Sequence, residues 1–100
     1  MKKYRLFFEG KNCLIKSNGG KKRAGFFTTR FIEAETREEA EKRARNSIEA
    51  ELEDILLNER SAPPLLITEE IVEIESFEDN TVPGKGFTWF YEDEESKMYH

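Results

Sequence analysis

The sequence predicts an α+β domain: an antiparallel sheet in the element order β-β-β-α-β, one helix packed on a face, and a C-terminal aromatic segment on the sheet or its edge. Three observations carry this. "KYRLFFE" near the start alternates apolar and polar residues, the period of a half-buried strand. "TREEAEKRARNSIEAELEDILLNER" shows the longer period of an amphipathic helix. Gly, Pro and Asn clusters cut the remainder into short runs rich in β-branched and aromatic residues.

In residues 3–9, Tyr4, Leu6 and Phe8 share one face, with Lys3 and Arg5 on the other. "GKN" at 10–12 reads as a turn and "CLIKS" at 13–17 as a short second strand. Asn18-Gly19 is a hairpin signal, since a type I′ turn needs positive φ at both central positions. Residues 24–34 form the next strand. Its faces are Phe26, Thr28, Arg30, Ile32, Ala34 and Phe27, Thr29, Phe31, Glu33. Both carry large apolar groups, so the second face is expected to be partly covered.

Thr36 with Glu39 is a capping box, each side chain suited to a free backbone N–H at the helix start. Ala40, Ala44, Ile48, Leu52, Ile55 and Leu56 make the apolar stripe. Glu38–Lys42, Glu39–Arg43 and Glu41–Arg45 are i,i+4 pairs on a solvated face. "SAPP" at 61–64 stops the helix. The strand after it alternates Leu66, Glu70, Val72 and Ile74 against Glu69, Ile71, Glu73 and Glu75. "DNTVPGKG" at 79–86 is punctuation, and "FTWFYEDEE" is a last strand. This divides the chain into an α+β core, residues 1–78, and a C-terminal aromatic and acidic segment, 79–100.

The chain has 100 residues, 37% hydrophobic and 37% charged, which suits one small domain with a modest core. Cys13 is the only cysteine, so no internal disulfide can form and a reducing, cytoplasmic setting is expected. Arg5 and Glu9 interrupt the apolar start, and no apolar run reaches membrane-spanning length. The net charge of -5 hides an asymmetry: residues 1–30 hold nine Lys/Arg and one acid, the rest seven Lys/Arg and twenty acids. The basic third can face phosphate or the protein's own acidic part, and the second is the stronger expectation.

Catalytic chemistry finds few residues to use. His100, the only histidine, is the last residue, with nothing after it to hold it. Cys13 sits in a predicted strand and reads as a small core residue. One cysteine and one histidine give no zinc spacing, "GKG" and "NGG" lack the phosphate-loop pattern, and "YEDEESKMYH" lacks a defined calcium loop. No enzyme activity, metal or cofactor is expected.

Binding is the better expectation. Phe87, Trp89 and Tyr91 share one face of an extended segment, with Phe90 beside them. These four either complete the sheet or form a partner-facing patch. The basic patch Lys21, Lys22 and Arg23 belongs to a wider set, Lys2, Lys3, Arg5, Lys16 and Arg30, with Tyr4, Phe26 and Phe27 nearby. Such a mixture can bind single strands, but the aromatic motif "KGFGFV" of sheet-type RNA binders is missing.

"GFFTTRFIEAETREEAEKRA", residues 25–44, resembles a family of small uncharacterised bacterial proteins sharing a Gly-Phe-Tyr-Thr-Thr-Arg-Phe-Val-Glu-Ala-like core. "VEIESFED" and the late Gly-aromatic segment extend the resemblance. It implies a bacterial α+β protein and brings no activity. The element order is also similar to HicB-type antitoxins, though their glycine-aromatic-proline run and a C-terminal DNA-binding segment are missing. The expected function is therefore a small non-enzymatic binding or protein-interaction module. Its partner is another protein or a second copy in a weak homodimer. A nucleic-acid-linked regulator of antitoxin type is the alternative, and a membrane partner is not expected.

Overall fold

Two long strands dominate the molecule, whose computed structural model describes residues 1–92. The elements run β1 (Lys2–Ser17), β2 (Gly20–Ala34), α1 (Arg37–Leu52), β3 (Leu65–Ile74) and β4 (Thr88–Tyr91). They form a four-stranded antiparallel sheet in the order β3-β1-β2-β4, with the helix on one face. The class is α+β, as expected, but the order is β-β-α-β-β.

The difference arises at "GKN". There the chain does not turn; the β1–β2 register shifts between Gly10 and Cys13, and Asn12 takes φ 57°. The extra residue is absorbed as a bulge, and pairing continues to Ser17 opposite Gly20. A left-handed Asn explains why the motif resembles a turn. The hairpin does close at Asn18-Gly19, but only Gly19 of the two has positive φ (84°), so the turn is not type I′.

Bulges also decide the faces. In β3 the register shifts so that Phe7 lies opposite Glu70 and Phe8 opposite Thr68. Glu69 is the extra residue, and it reverses the simple alternation. Leu66 and Ile71 therefore both pack against the core beneath the helix, instead of on opposite faces.

The core lies between α1 and the inner sheet face. Tyr4, Leu6, Phe8, Cys13, Phe26, Ile32 and Ala34 meet Ala40, Ala44, Ile48 and Leu52. Thr36 caps the helix, its Oγ1 accepting from the Glu39 N–H at 3.1 Å. The helix ends at Leu52, earlier than the stripe suggests, leaving Ile55 exposed and Leu56 partly buried. No base occupies its last turn, and Glu49, Glu51 and Glu53 bring negative charge to the negative end of the helix dipole. Beyond β3's reach, residues 57–58 protect the β1 edge. Leu57 N–H donates to Leu14 O (2.8 Å), Leu14 N–H to Asn58 Oδ1 (2.7 Å), and Asn58 Nδ2 to Asn12 O (2.9 Å). No helix of the described residues is long and apolar enough to cross a membrane.

Candidate interaction face

Phe26 and Phe27 are neighbours on β2 and meet different surroundings. Phe26 is 1% exposed under the helix; Phe27 is 37% exposed on the other, outer face. The shortest dimension of the molecule, 22 Å, fits two layers at the usual spacing of about 10 Å, a sheet and a helix. Among the described residues no helix or strand forms a third layer, and only Phe77 reaches over this face, at its Phe31 end.

Pairing in register assigns the outer-face residues. Lys3, Arg5, Phe7 and Glu9 of β1 align with Glu33, Phe31, Thr29 and Phe27 of β2. Ile67, Glu70, Val72 and Ile74 of β3 continue the rows on one side, and Phe90 lies opposite Gly25 on the other. Phe7 and Phe27 stack at 5.6 Å with planes 8° apart, and Phe27 meets Phe90 at 5.2 Å. An aromatic ridge thus crosses three strands. Gly25 permits it, because a Cβ there would fall 2.4 Å from the Phe90 ring. The inner face repeats the device: Gly10 faces Phe26, whose ring lies 1.9 Å from where a Cβ would be.

Among the described residues the ridge separates an unpaired basic end from an end of ion pairs and further carboxylates. Lys16, Lys21 and Arg23 lie on the hairpin end and make no ion pair among the described residues. At the other end Lys3 pairs with Glu33 (3.6 Å) and Arg5 with Glu70 (3.7 Å). A shallow groove of about 410 Å³ follows, lined by Arg5, Phe31, Ile74, Glu75, Ser76 and Glu78. Phe31 is covered by Phe77, ring edge to face at 6.3 Å.

The C-terminal aromatics do not cover this face. They form the edge strand β4, and strand alternation divides them. Trp89, opposite Phe26, meets that ring at 5.3 Å and Phe87 at 5.6 Å. Phe87 meets Phe26 at 4.7 Å, so Phe87 and Trp89 extend the inner core, half-buried. Tyr91 lies under the Lys22 ammonium (5.0 Å), also on the inner side. Only Phe90 joins the outer ridge. The four are contiguous in sequence but form no single patch. The basic triplet is divided in the same way: Lys21 and Arg23 take the parity of the outer face and Lys22 that of the inner.

Arg30 is the residue whose role differs most from its place in the basic set. Its side chain is fully buried, with Nη1 2.8 Å from Glu51 Oε2. Nε donates to Thr28 Oγ1 (3.1 Å), Nη1 to Gly84 O (3.1 Å) and Nη2 to Gly86 O (3.2 Å). The guanidinium sits over Phe87 at 5.3 Å. Gly86 N–H donates to the other Glu51 oxygen (2.6 Å), and Phe31 N–H to Pro83 O (2.9 Å). Together these fasten the 83–87 segment along β2 and position β4. Gly84 (φ 92°) and Gly86 (φ 86°) supply a backbone that other residues seldom adopt. The sequence does carry a signal for this: Arg30 shares the parity of Phe26, Ile32 and Ala34, so its charge needs buried partners. For Glu51, burial acts to raise the pKa, but the bonds from Gly86 and Arg30 and the charges of Arg30 and Lys85 outweigh it and hold the carboxyl below its usual range.

Cys13 is a buried free thiol, pushed up to about 11 by burial and by the Glu92 carboxylate. Among the described residues no group of three His, Cys, Asp or Glu is placed to hold a metal ion. His100, Met98 and the acidic run after Glu92 lie outside the described residues. Comparison with protein-family models, with characterised proteins and with solved structures finds no match for this chain.

Proposed function

We propose that the protein is a small non-enzymatic protein-interaction module whose working surface is the outer face of the sheet. The observation that carries this is the aromatic ridge of Phe7, Phe27 and Phe90, half-exposed beside Ile67, Val72 and Ile74 with no covering layer among the described residues. A clustered apolar surface with a polar rim marks a docking site, whereas isolated exposed apolar residues do not. Catalysis draws no support from Cys13, whose thiol is buried and held in its protonated form. On this reading the chain works in a reducing cytoplasm and belongs with the bacterial proteins that residues 25–44 resemble.

Nucleic-acid binding is the second reading, favoured by one observation, the cations Lys16, Lys21 and Arg23 at the hairpin end, which make no ion pair among the described residues. It ranks below the first because carboxylates share that face, and Glu33 and Glu70 already hold the Lys3 and Arg5 cations that a phosphate would use. The stacked rings of Phe7 and Phe27 also turn their π-faces to each other, not to a base.

The test is capture from source-cell extract by wild type and by Phe27→Glu. Proteins retained by the wild type and lost with the variant, at an unchanged melting temperature, support the outer face. Equal capture by both refutes it. Binding of DNA or RNA at submicromolar Kd in physiological salt, weakened by Arg23→Glu, would favour the second reading.

A further inference from the structure

We infer that the outer face is closed by a second copy of the same chain, face to face, about a two-fold axis that runs across the strands. This rests on the proposed use of that face and adds its occupant. The argument is from charge order along the strands. On β2, Lys21 and Arg23 precede Phe27, while Phe31 and Glu33 follow it, and Glu35 stands in the bend just past the strand. The groove lined by Glu75 and Glu78 lies at that same far end, beside Phe31. Lys3 and Arg5 stand at that end too, paired with Glu33 and Glu70, but the carboxylates outnumber them there, so the face runs from cationic through aromatic to net anionic along its length.

Only one kind of two-fold contact suits this order. An axis along the strands sets Lys21 and Arg23 of one copy against the same residues of the other, and like charges repel. An axis across the strands, near the step from Phe27 to Thr29, sets Arg23 beside the Lys3–Glu33 pair of the second copy and brings Lys21 toward the bend that carries Glu35. Both lie next to the acidic groove, and symmetry makes each contact twice. The ridges then meet at the centre, where ring area contributes most to association. At about 4.8 Å between strands and about 3.3 Å per residue, the sheet offers on the order of 700 Å², near the roughly 800 Å² per partner of a standard interface.

Edge pairing is less well prepared. The β3 edge is lined with glutamates, and helix arginines already bond two of its carbonyls: Arg37 to Ile71 O (2.6 Å) and Arg45 to Leu66 O (3.0 Å). The opposite edge offers only the four residues of β4.

The experiment is sedimentation equilibrium over a wide concentration range on wild type and surface variants. The expected wild type is a monomer–dimer equilibrium. Phe27→Glu should be monomeric, and Arg23→Glu should weaken the dimer by about tenfold or more. The double variant Arg23→Glu/Glu33→Arg should recover most of that loss, because each reversed charge again meets its opposite. A short thiol crosslinker should join Arg23→Cys chains to Glu33→Cys chains in a mixture more readily than either to itself.

A wild type that stays monomeric at millimolar concentration would overturn the inference. If that monomer still captures another protein through Phe27, the interaction reading survives and only the occupant is wrong; if it captures nothing, both fail. A dimer insensitive to Phe27→Glu but lost in Thr88→Pro would also overturn it, pointing to β4 edge pairing. So would a monomer that binds an oligonucleotide with steep salt dependence, and the charge swap would not restore that binding.

Discussion

The two faces of this sheet are built from the same strands and both carry aromatic rings, yet they are covered differently. The inner face places Phe26 across Gly10 and seals both under α1; the outer face places Phe90 across Gly25 and leaves the ring half-exposed. Both use a ring laid over a glycine on the neighbouring strand. What differs is the layer above. On the inner side that layer is the helix, extended by Phe87 and Trp89, and held in place by Arg30. On the outer side, among the described residues, only Phe77 lies above the sheet, over Phe31, and the ridge has no such layer. A ring over a glycine therefore does not by itself identify a core; the layer above it does.

Substitutions at neighbouring positions test this contrast, and the largest effect belongs to the inner face. Phe26→Ala should cost about 3–5 kcal/mol, the range for emptying a buried ring site, measured by urea unfolding. A loss below about 1 kcal/mol would mean that the inner face is not the sealed one. Next is Arg30→Ala, expected to cost roughly 3 kcal/mol because it leaves the Gly84 carbonyl without its donor, Glu51 without its cation and the Gly86 carbonyl with Thr28 Oγ1 alone. Hydrogen exchange should then quicken in β4 before the β1–β2 hairpin, since the fastening of residues 83–87 is lost.

Trp89→Ala should cost about 2 kcal/mol, less than Phe26 because the indole is half-buried. The emission of Trp89 in the intact protein should be blue-shifted and only partly open to acrylamide. Full quenching at the rate of free indole would separate β4 from the core and end the comparison. Below that comes an acid dependence. The Glu51 carboxyl is held beneath its ordinary range, so its stabilisation is complete above the unfolded pKa and is lost as pH falls through the folded one. Between mildly acidic pH and the region below the usual carboxylate pKa, the wild-type melting temperature should fall more steeply than that of Glu51→Gln. Parallel curves would show that the lock does not titrate.

The smallest change should come from Phe27→Ala, under about 1 kcal/mol in the monomer, although it removes the same ring from the adjacent position. If stability were unaffected while association was lost, the division between the two faces would be sharpened. A cost equal to that of Phe26→Ala would show the outer face to be buried in the folded monomer.

Part of this architecture is legible in the order of residues. The class, the cap at Thr36 and the hairpin at Asn18-Gly19 are local properties, set by side-chain period, capping chemistry and backbone freedom over a few residues. The two faces of residues 26–34 also follow from strand period, whereas the same period left residues 87–91 open between the sheet and its edge. The same local reasoning fails at "GKN" and at Glu69, because a bulge is decided by the partner strand: whether an extra residue turns the chain or bends it depends on pairing that continues beyond it. It fails again for Phe87, Trp89, Phe90 and Tyr91, and for Lys21, Lys22 and Arg23, where neighbours in sequence are not neighbours in space because alternation sends them to different faces. Thus the sequence alone determined which residues alternate and where helix and hairpin begin. Only the tertiary structure decided which face received the helix, that Arg30 would be consumed as an internal fastener, and that Phe27 would stay open. One helix can cover one side of a sheet, and which apolar side is left uncovered depends on how α1 and the 83–87 segment pack together, a choice that no stretch of the chain encodes by itself.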